Sequence, residues 1–292
     1  MRVVDSHLHL WDPRVLTYDW LAGDLDARFA AEELLGDPVE EAAEQVAVFV
    51  QADPVGEQAL DEVRWVDSIA RAAGVVGIVA GARLDRSDAL GTHLDALGAF
   101  DRVVGVRHLL QSEPDGFART ESFIAGAREL ATHGLTFDAC VRAHQISDVT
   151  ALADAVPELP IVLDHLGKPA IGTAAAPLQP SADWVRDLRE LAARPSVHIK
   201  LSGLPAESHG FVDENQMEPF LDAAAEHFGE DRLMWGSDWP VSSIDTRDPS
   251  DAYYVAGNRD RWCRAVRDWA VRRGLDVDRI LWSNALAFYG IR

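Results

Sequence analysis

Eight short apolar runs, each rich in β-branched residues and most followed by a stretch with helical spacing, constrain the fold of this chain more than any other feature. They are Val3–Leu10, Val46–Gln51, Gly77–Ala82, Val103–His108, Leu135–Val141, Ile161–His165, Val197–Ser202 and Leu233–Asp238. Runs of this length with β-branched content read as strands buried on both faces. Helical spacing follows. Ala59, Val63, Val66, Ile69 and Ala70 recur on one face with Asp61, Glu62, Arg64 and Asp67 between them, and Gly74 is placed as a C-cap. Further helices are predicted over 87–99, 123–133, 146–156, 184–193, 217–228, 262–273 and 284–289, with irregular stretches over 11–36 and 242–258. Strands alternating with helices imply parallel pairing through right-handed crossovers, and eight such units predict a (β/α)8 TIM barrel spanning residues 1–292 as one domain. An open doubly wound sheet is the rival. No Gly-x-Gly-x-x-Gly or Gly-x-x-x-x-Gly-Lys turn follows any strand, so nucleotide binding has no support.

Charge narrows the partners. With 27 basic and 48 acidic residues the net charge is −21, which opposes capture of nucleic acid or an anionic membrane and leaves a small neutral substrate unaffected. No apolar stretch is long enough to span a bilayer, and no signal-peptide pattern opens the chain, so a cytoplasmic location is expected. Cys140 and Cys263 match no zinc or redox spacing, and Cys140 reads as core filler. The sequence carries no signal for oligomeric state.

In such barrels chemistry sits at the C-terminal ends of the strands, and that is where the polar residues of these runs fall. By strand alternation Asp5, His7 and His9 share one face of the first strand, so two imidazoles converge on one point. Arg107 and His108 end the fourth strand, Asp164 and His165 the sixth, Lys200 and Ser202 the seventh, and Asp238 the eighth. Each alone has an ordinary structural explanation, such as a helix cap for Asp238, a surface histidine for His108 or an ion pair for Lys200. Their joint placement points to a site. No Gly-x-Ser-x-Gly elbow is present, so Ser237 is not a serine-hydrolase nucleophile.

The segments Asp5-Ser6-His7-Leu8-His9-Leu10-Trp11-Asp12-Pro13, Gly105-Val106-Arg107-His108, Leu163-Asp164-His165-Leu166-Gly167-Lys168-Pro169, Ile199-Lys200-Leu201-Ser202-Gly203 and Trp235-Gly236-Ser237-Asp238-Trp239-Pro240 resemble the amidohydrolase superfamily. The closer resemblance is to its branch of sugar lactonases and a pyrone-dicarboxylate lactonase. It implies that His7, His9, His165 and Asp238 meet at the barrel mouth, with Asp238 as general base for water attacking an acyl carbon. Arg107, His108 and Lys200 would orient the substrate, and Lys200 or an imidazole would polarise its carbonyl. Catalysis is thus assigned to Asp238, His165 and Lys200.

The same set, His7, His9, His165 and Asp238, suits one divalent metal ion, zinc by ligand type. Binuclear members of the superfamily add a bridging carboxylated lysine or glutamate and further strand-end histidines. Strand five offers Asp138 and Cys140 instead, so two metals are not expected. Some relatives in this branch work without metal, and the sequence leaves that choice open. Trp11, Trp20 and Trp239 flank the expected mouth, where indole faces pack on sugar rings or serve the core. His144 stands just beyond strand five, and His93, His133, His209 and His227 have no supporting context. The expected activity is hydrolysis of a lactone, most simply of an aldonic acid. The rivals are a metal-dependent decarboxylase of a carboxylated ring and a non-catalytic barrel that binds a sugar acid.

Overall fold

The computed structural model describes residues 1–210, 212–246 and 253–292, so residues 247–252 of the irregular stretch expected over 242–258 lie outside the described residues. Eight strands form one parallel sheet: β1 (Arg2–Leu8), β2 (Glu44–Val50), β3 (Val75–Gly81), β4 (Val103–Leu109), β5 (Thr136–Cys140), β6 (Ile161–Leu163), β7 (Val197–Leu201) and β8 (Leu233–Trp235). They are hydrogen-bonded in sequence order from β1 to β8. The seam between β8 and β1 closes just beyond β8, where the Asp238 amide donates to the His7 carbonyl and the His9 amide to the Trp239 carbonyl, each at 2.8 Å. Ser6 Oγ adds a bond to the Trp235 carbonyl at 2.7 Å. This is the (β/α)8 barrel expected from the alternation.

The principal helices are α1 (Ala59–Ala73), α2 (Ser87–Leu97), α3 (Glu121–Thr132), α4 (Ile146–Ala155), α5 (Ala182–Ala192), α6 (Glu214–Phe228), α7 (Asn258–Arg273) and α8 (Asn284–Tyr289). Several begin two to four residues before the first apolar residue of the sequence pattern. Thr120, Ser181 and Asp213 cap α3, α5 and α6 through side-chain oxygens that accept from the amides of Phe123, Trp184 and Gln216. The polar first turn that follows a cap carries no hydrophobic signal. Gly74 ends α1 in the left-handed conformation, as expected.

Two apolar layers hold the barrel. The outer one lies between sheet and helices. The inner one contains Val4, Val48, Val50, Val79, Val162 and Met234, packed with Ala285 and Tyr289 of α8. The C-terminal helix thus plugs the barrel, and the Tyr289 hydroxyl donates to Asp138 at 2.9 Å.

Strand β1 departs from simple alternation. Its register against β2 slips between Asp5 and Leu8, and such a bulge re-aims the side chains beyond it. Asp5 therefore faces away from the two histidines, accepting from Arg259 Nε of α7 at 2.9 Å and from the Ser237 amide at 2.8 Å. The expectation that Asp5, His7 and His9 share a face is corrected.

Candidate active site

Beyond the bulge His7 points into the barrel, and His9 follows where the chain leaves β1. Their Nε2 atoms lie 3.2 Å apart. Gly236 leaves room for this: a Cβ there would come within 2.7 Å of His7 Cβ. Asp238 enters from the opposite side of the seam with φ +56. Its Oδ1 lies 3.3 Å from His9 Nε2, 3.9 Å from His7 Nε2 and 3.8 Å from His165 Nε2, and Ser242 Oγ donates to Oδ2 at 2.8 Å.

His165 arrives by an unusual turn. From His165 to Lys168 the backbone stays left-handed, with φ of +53, +54, +72 and +52. Three of these residues are not glycine, and each such conformation costs roughly 1–2 kcal/mol. The turn lets Asp164 and His165, adjacent in sequence, both serve the site. Gly203, itself at φ +72, accommodates the ring of His165, whose Nδ1 would sit 2.5 Å from a Cβ there. Ser202 Oγ and His165 Nδ1 are hydrogen-bonded at 2.9 Å.

Beneath the histidines lies a charged layer closed to solvent. Lys200 is fully buried and pairs with Asp138 of β5 and, at 3.1 Å, with Asp164 Oδ1. His7 Nδ1 lies 3.1 Å from Lys200 Nζ and 3.2 Å from Asp164 Oδ1. Burial and the neighbouring cations Lys200 and Arg107 hold the His7 imidazole well below its usual value. Burial does the same to His165. Burial pushes the Asp238 carboxyl up, but His165 and His9 outweigh it and leave it below the ordinary carboxylate value. Asp238 is therefore ionised at neutral pH. Asp138 is raised to about 6 by burial, against the pull of Lys200.

The donor set fits one divalent ion. His9 Nδ1 is bound to the Val50 carbonyl at 2.8 Å; a carbonyl only accepts, so Nδ1 carries the hydrogen and Nε2 of the neutral ring presents a lone pair. That lone pair faces Asp238 Oδ1. Two acceptors so placed are held together by a cation between them, either a proton on Nε2, as in the pairing that lowers Asp238, or a metal ion. Zinc bonds of about 2.0–2.1 Å put tetrahedral ligand atoms roughly 3.3 Å apart, close to the 3.2 and 3.3 Å separations around His9. His7, His9 and Asp238 form one such cluster among the described residues, and His7, Asp164 and His165 another. Both use His7, so they do not make two independent sites.

A cavity of about 320 Å³ opens over this cluster, walled by His9, Arg107, His165, Lys168, Asp238 and Trp20 among others. Trp20 is 39% exposed and is held by its indole N–H on the Ala52 carbonyl. The structure brings together His7, His9, His165, Asp238, Arg107 and Trp20. Other residues singled out in the sequence lie elsewhere. Trp11 and Trp239 are fully buried; the first packs edge-on beneath Trp20 at 5.2 Å, and both pack on Phe29. They brace the loop after β1 and present no face to a ligand. His108 sits beside Arg107 in β4, so alternation turns it outward, where it meets Glu113, Phe117 and Phe123 and lines a neighbouring cavity instead of the one over Asp238. Lys200 lies a layer too deep to touch a molecule in the cavity. His144 is also apart, paired with Asp115 on the surface.

Lys168, Cys140, Asp53 and Glu207 line the cavity without having been singled out as site residues. Lys168 lies within the Leu163–Pro169 segment, and its position directly after a strand-end His-Leu-Gly was the available signal. Arg107 is tied to the Gln51 carbonyl and lies 3.7 Å from Asp164. Among the described residues the Lys168 amine bonds only Gln111 Oε1, which leaves it two donors for a ligand.

A model of the amidohydrolase family matches residues 4–291. An L-fucono-1,5-lactonase of Burkholderia ambifaria is 31% identical over 99% of this chain and 95% of its own length. A second L-fucono-1,5-lactonase, of Burkholderia multivorans, is 30% identical over 97% and 94%. The crystal structure of an amidohydrolase from Burkholderia multivorans with bound zinc superposes with a TM-score of 0.80, at 29% identity, over the whole of both chains. A family match from one end to the other, on a barrel with a buried histidine–aspartate cluster at its mouth, means that this chain belongs to the amidohydrolase family and is a hydrolase.

Proposed function

We propose that this chain hydrolyses a sugar-acid lactone, with Asp238 as the general base. The observation that carries the reading is an ionised Asp238 carboxylate on the wall of a cavity it shares with His9, His165 and Lys168. Similarity to the two L-fucono-1,5-lactonases along nearly the whole chain supports the substrate class. A cyclic ester needs an activated water, a polariser for its carbonyl and groups that hold its hydroxyls.

Asp238 takes a proton from water as the water oxygen bonds to the acyl carbon. The acyl oxygen gains negative charge and meets the Lys168 ammonium, which supplies the polarisation expected of Lys200 from the sequence. When the ring C–O bond breaks, its electron pair goes to the ring oxygen, and the proton held by Asp238 is returned there. The product is a hydroxy acid that ionises and releases one proton. Ser242 fixes the carboxylate through Oδ2, leaving Oδ1 towards the imidazoles. A divalent ion on His7, His9 and Asp238 would, when bound, add Lewis-acid polarisation. The exposed face of Trp20 suits the apolar face of a sugar ring.

The test is a panel of aldono-1,4- and 1,5-lactones assayed by proton release, with metal content measured on the same sample. Turnover of at least one aldonolactone well above spontaneous hydrolysis is expected. Inactivity across the panel would remove the proposal.

A further inference from the structure

The cavity over Asp238 is only part of the barrel mouth. Its base and imidazoles come from the ends of β1, β6 and β8, whereas a second cavity of about 510 Å³ opens over the ends of β2, β3 and β4. The two share Asp53, Arg107, Leu109 and Ser112 as a common wall. They adjoin along that wall. A substrate whose acyl carbon lies at Asp238 has the second compartment beside it, across Arg107.

The lining of that compartment asks for hydrogen bonds. Gln51 is 3% exposed, and its Oε1 is buried with no hydrogen-bond partner among the described residues. On the shared wall, Arg107 Nε is likewise buried without one. A buried acceptor and a buried donor left open each carry an uncompensated desolvation penalty, and a ligand able to donate and to accept relieves both. A hydroxyl does so. Asp53, at the junction of the compartments, is a non-glycine residue held at φ +61, the kind of strained position that clusters at ligand sites. Charge in the compartment is balanced: Arg83 is paired with Asp85 and Glu113, and Asp53 and Glu57 stand against Arg86 and Arg107. A neutral, hydroxyl-rich group suits this lining better than an anion.

We infer that the compartment over β2–β4 is a subsite for a second sugar ring, so that the preferred substrate is an aldonolactone carrying a glycosyl substituent. The inference rests on the lactonase reading, because that reading places the acyl carbon at Asp238.

The experiment compares D-glucono-1,5-lactone with maltobiono-1,5-lactone, which differs only by the added glucose, in wild type, Gln51→Leu and Ala89→Trp. Ala89 is an exposed residue of α2 on the rim of the compartment, so its replacement narrows the subsite without touching the fold. In wild type kcat/KM should be about tenfold higher for the disaccharide lactone, chiefly through KM. Both variants should abolish that ratio, and Ala89→Trp should leave the monosaccharide lactone unaffected. Equal kcat/KM for the two lactones in wild type, or a ratio unchanged in both variants, would overturn the subsite. Calorimetric binding of maltobionate and gluconate decides the matter independently of turnover: tighter maltobionate binding that Gln51→Leu removes supports the subsite, and equal binding overturns it. Failure of every lactone to react would instead count against the lactonase reading.

Discussion

The backbone amide of Asp238 donates to the carbonyl of His7 at 2.8 Å, across the seam that closes the barrel. The bond that completes the fold therefore also sets the proposed base against a histidine of the metal-fitting cluster. Asp238 reaches this position in a left-handed conformation, and Gly236 two residues earlier lets His7 pass. Site and seam are one contact, so the geometry of Asp238 is as rigid as the barrel.

The cluster limits the metal content. His7, His9 and Asp238 serve one ion, and the alternative group with Asp164 and His165 reuses His7. Elemental analysis of the purified protein should give at most about one zinc per chain, and His9→Ala should lower it, because the ring that faces both other donors is gone. Two tightly bound ions per chain would contradict this count.

Lys168 is assigned to the developing oxyanion. Lys168→Met should reduce kcat by about 10²-fold, within the usual range for losing one such donor, and Lys168→Arg should restore part of it. A non-hydrolysable lactam, which mimics the ground state, should bind the methionine variant as it binds wild type. Loss of lactam affinity equal to the loss of kcat/KM would show that Lys168 serves binding and not the transition state.

Much of this arrangement was legible in the sequence, because strand–helix alternation and strand-end polarity are local signals. The eight strands, their parallel order and the gathering of polar residues at one end of the barrel follow from them, whereas the meeting of His7, His9, His165 and Asp238 came from the family resemblance. What alternation could not give were its own interruptions. The bulge in β1 turned His7 off the face that Asp5 occupies, and the left-handed turn after β6 brought both Asp164 and His165 to the site and delivered Lys168. Conversely, strict alternation within β4 separates Arg107 from His108, although the two are neighbours in sequence. Depth is equally non-local. Nothing in the run from Val197 to Ser202 says that Lys200 stops one layer below the cavity, since its depth depends on Asp138 in β5, Asp164 beyond β6 and the plug from α8.

Lys200 neutralises two buried carboxylates, so Lys200→Met should cost about 3–5 kcal/mol of stability. The loss depends on pH. Asp138 already has a folded value raised to about 6; without the cation it rises further, so protonated Asp138 protects the fold at low pH and the protection is lost as pH rises through the folded value. Thermal denaturation should therefore show a smaller gap between variant and wild type at pH 5 than at pH 8. A gap independent of pH would place the role of Lys200 outside charge balance.

Glu62 of α1, behind the cavity wall at Ala52, offers a second pH test. It is fully buried and accepts from the Ala52 amide at 3.0 Å, and burial pushes its carboxyl to about 8. The stability that protonated Glu62 confers is complete below about 4.5 and lost as pH rises through 8. Glu62→Gln should thus match wild type near pH 5 and exceed it at pH 9 by a few kcal/mol, since each tenfold gain in proton affinity on folding is worth about 1.4 kcal/mol. A melting-temperature difference that does not grow with pH would contradict the assignment.

In the proposed mechanism an ionised Asp238 takes the proton from the attacking water. Asp238→Asn keeps the shape of the side chain and its seam amide while removing the base. With an aldonolactone that wild type hydrolyses, and with circular dichroism confirming the fold, kcat should fall by about 10²- to 10⁴-fold. Near-native turnover by folded Asp238→Asn protein would contradict the account.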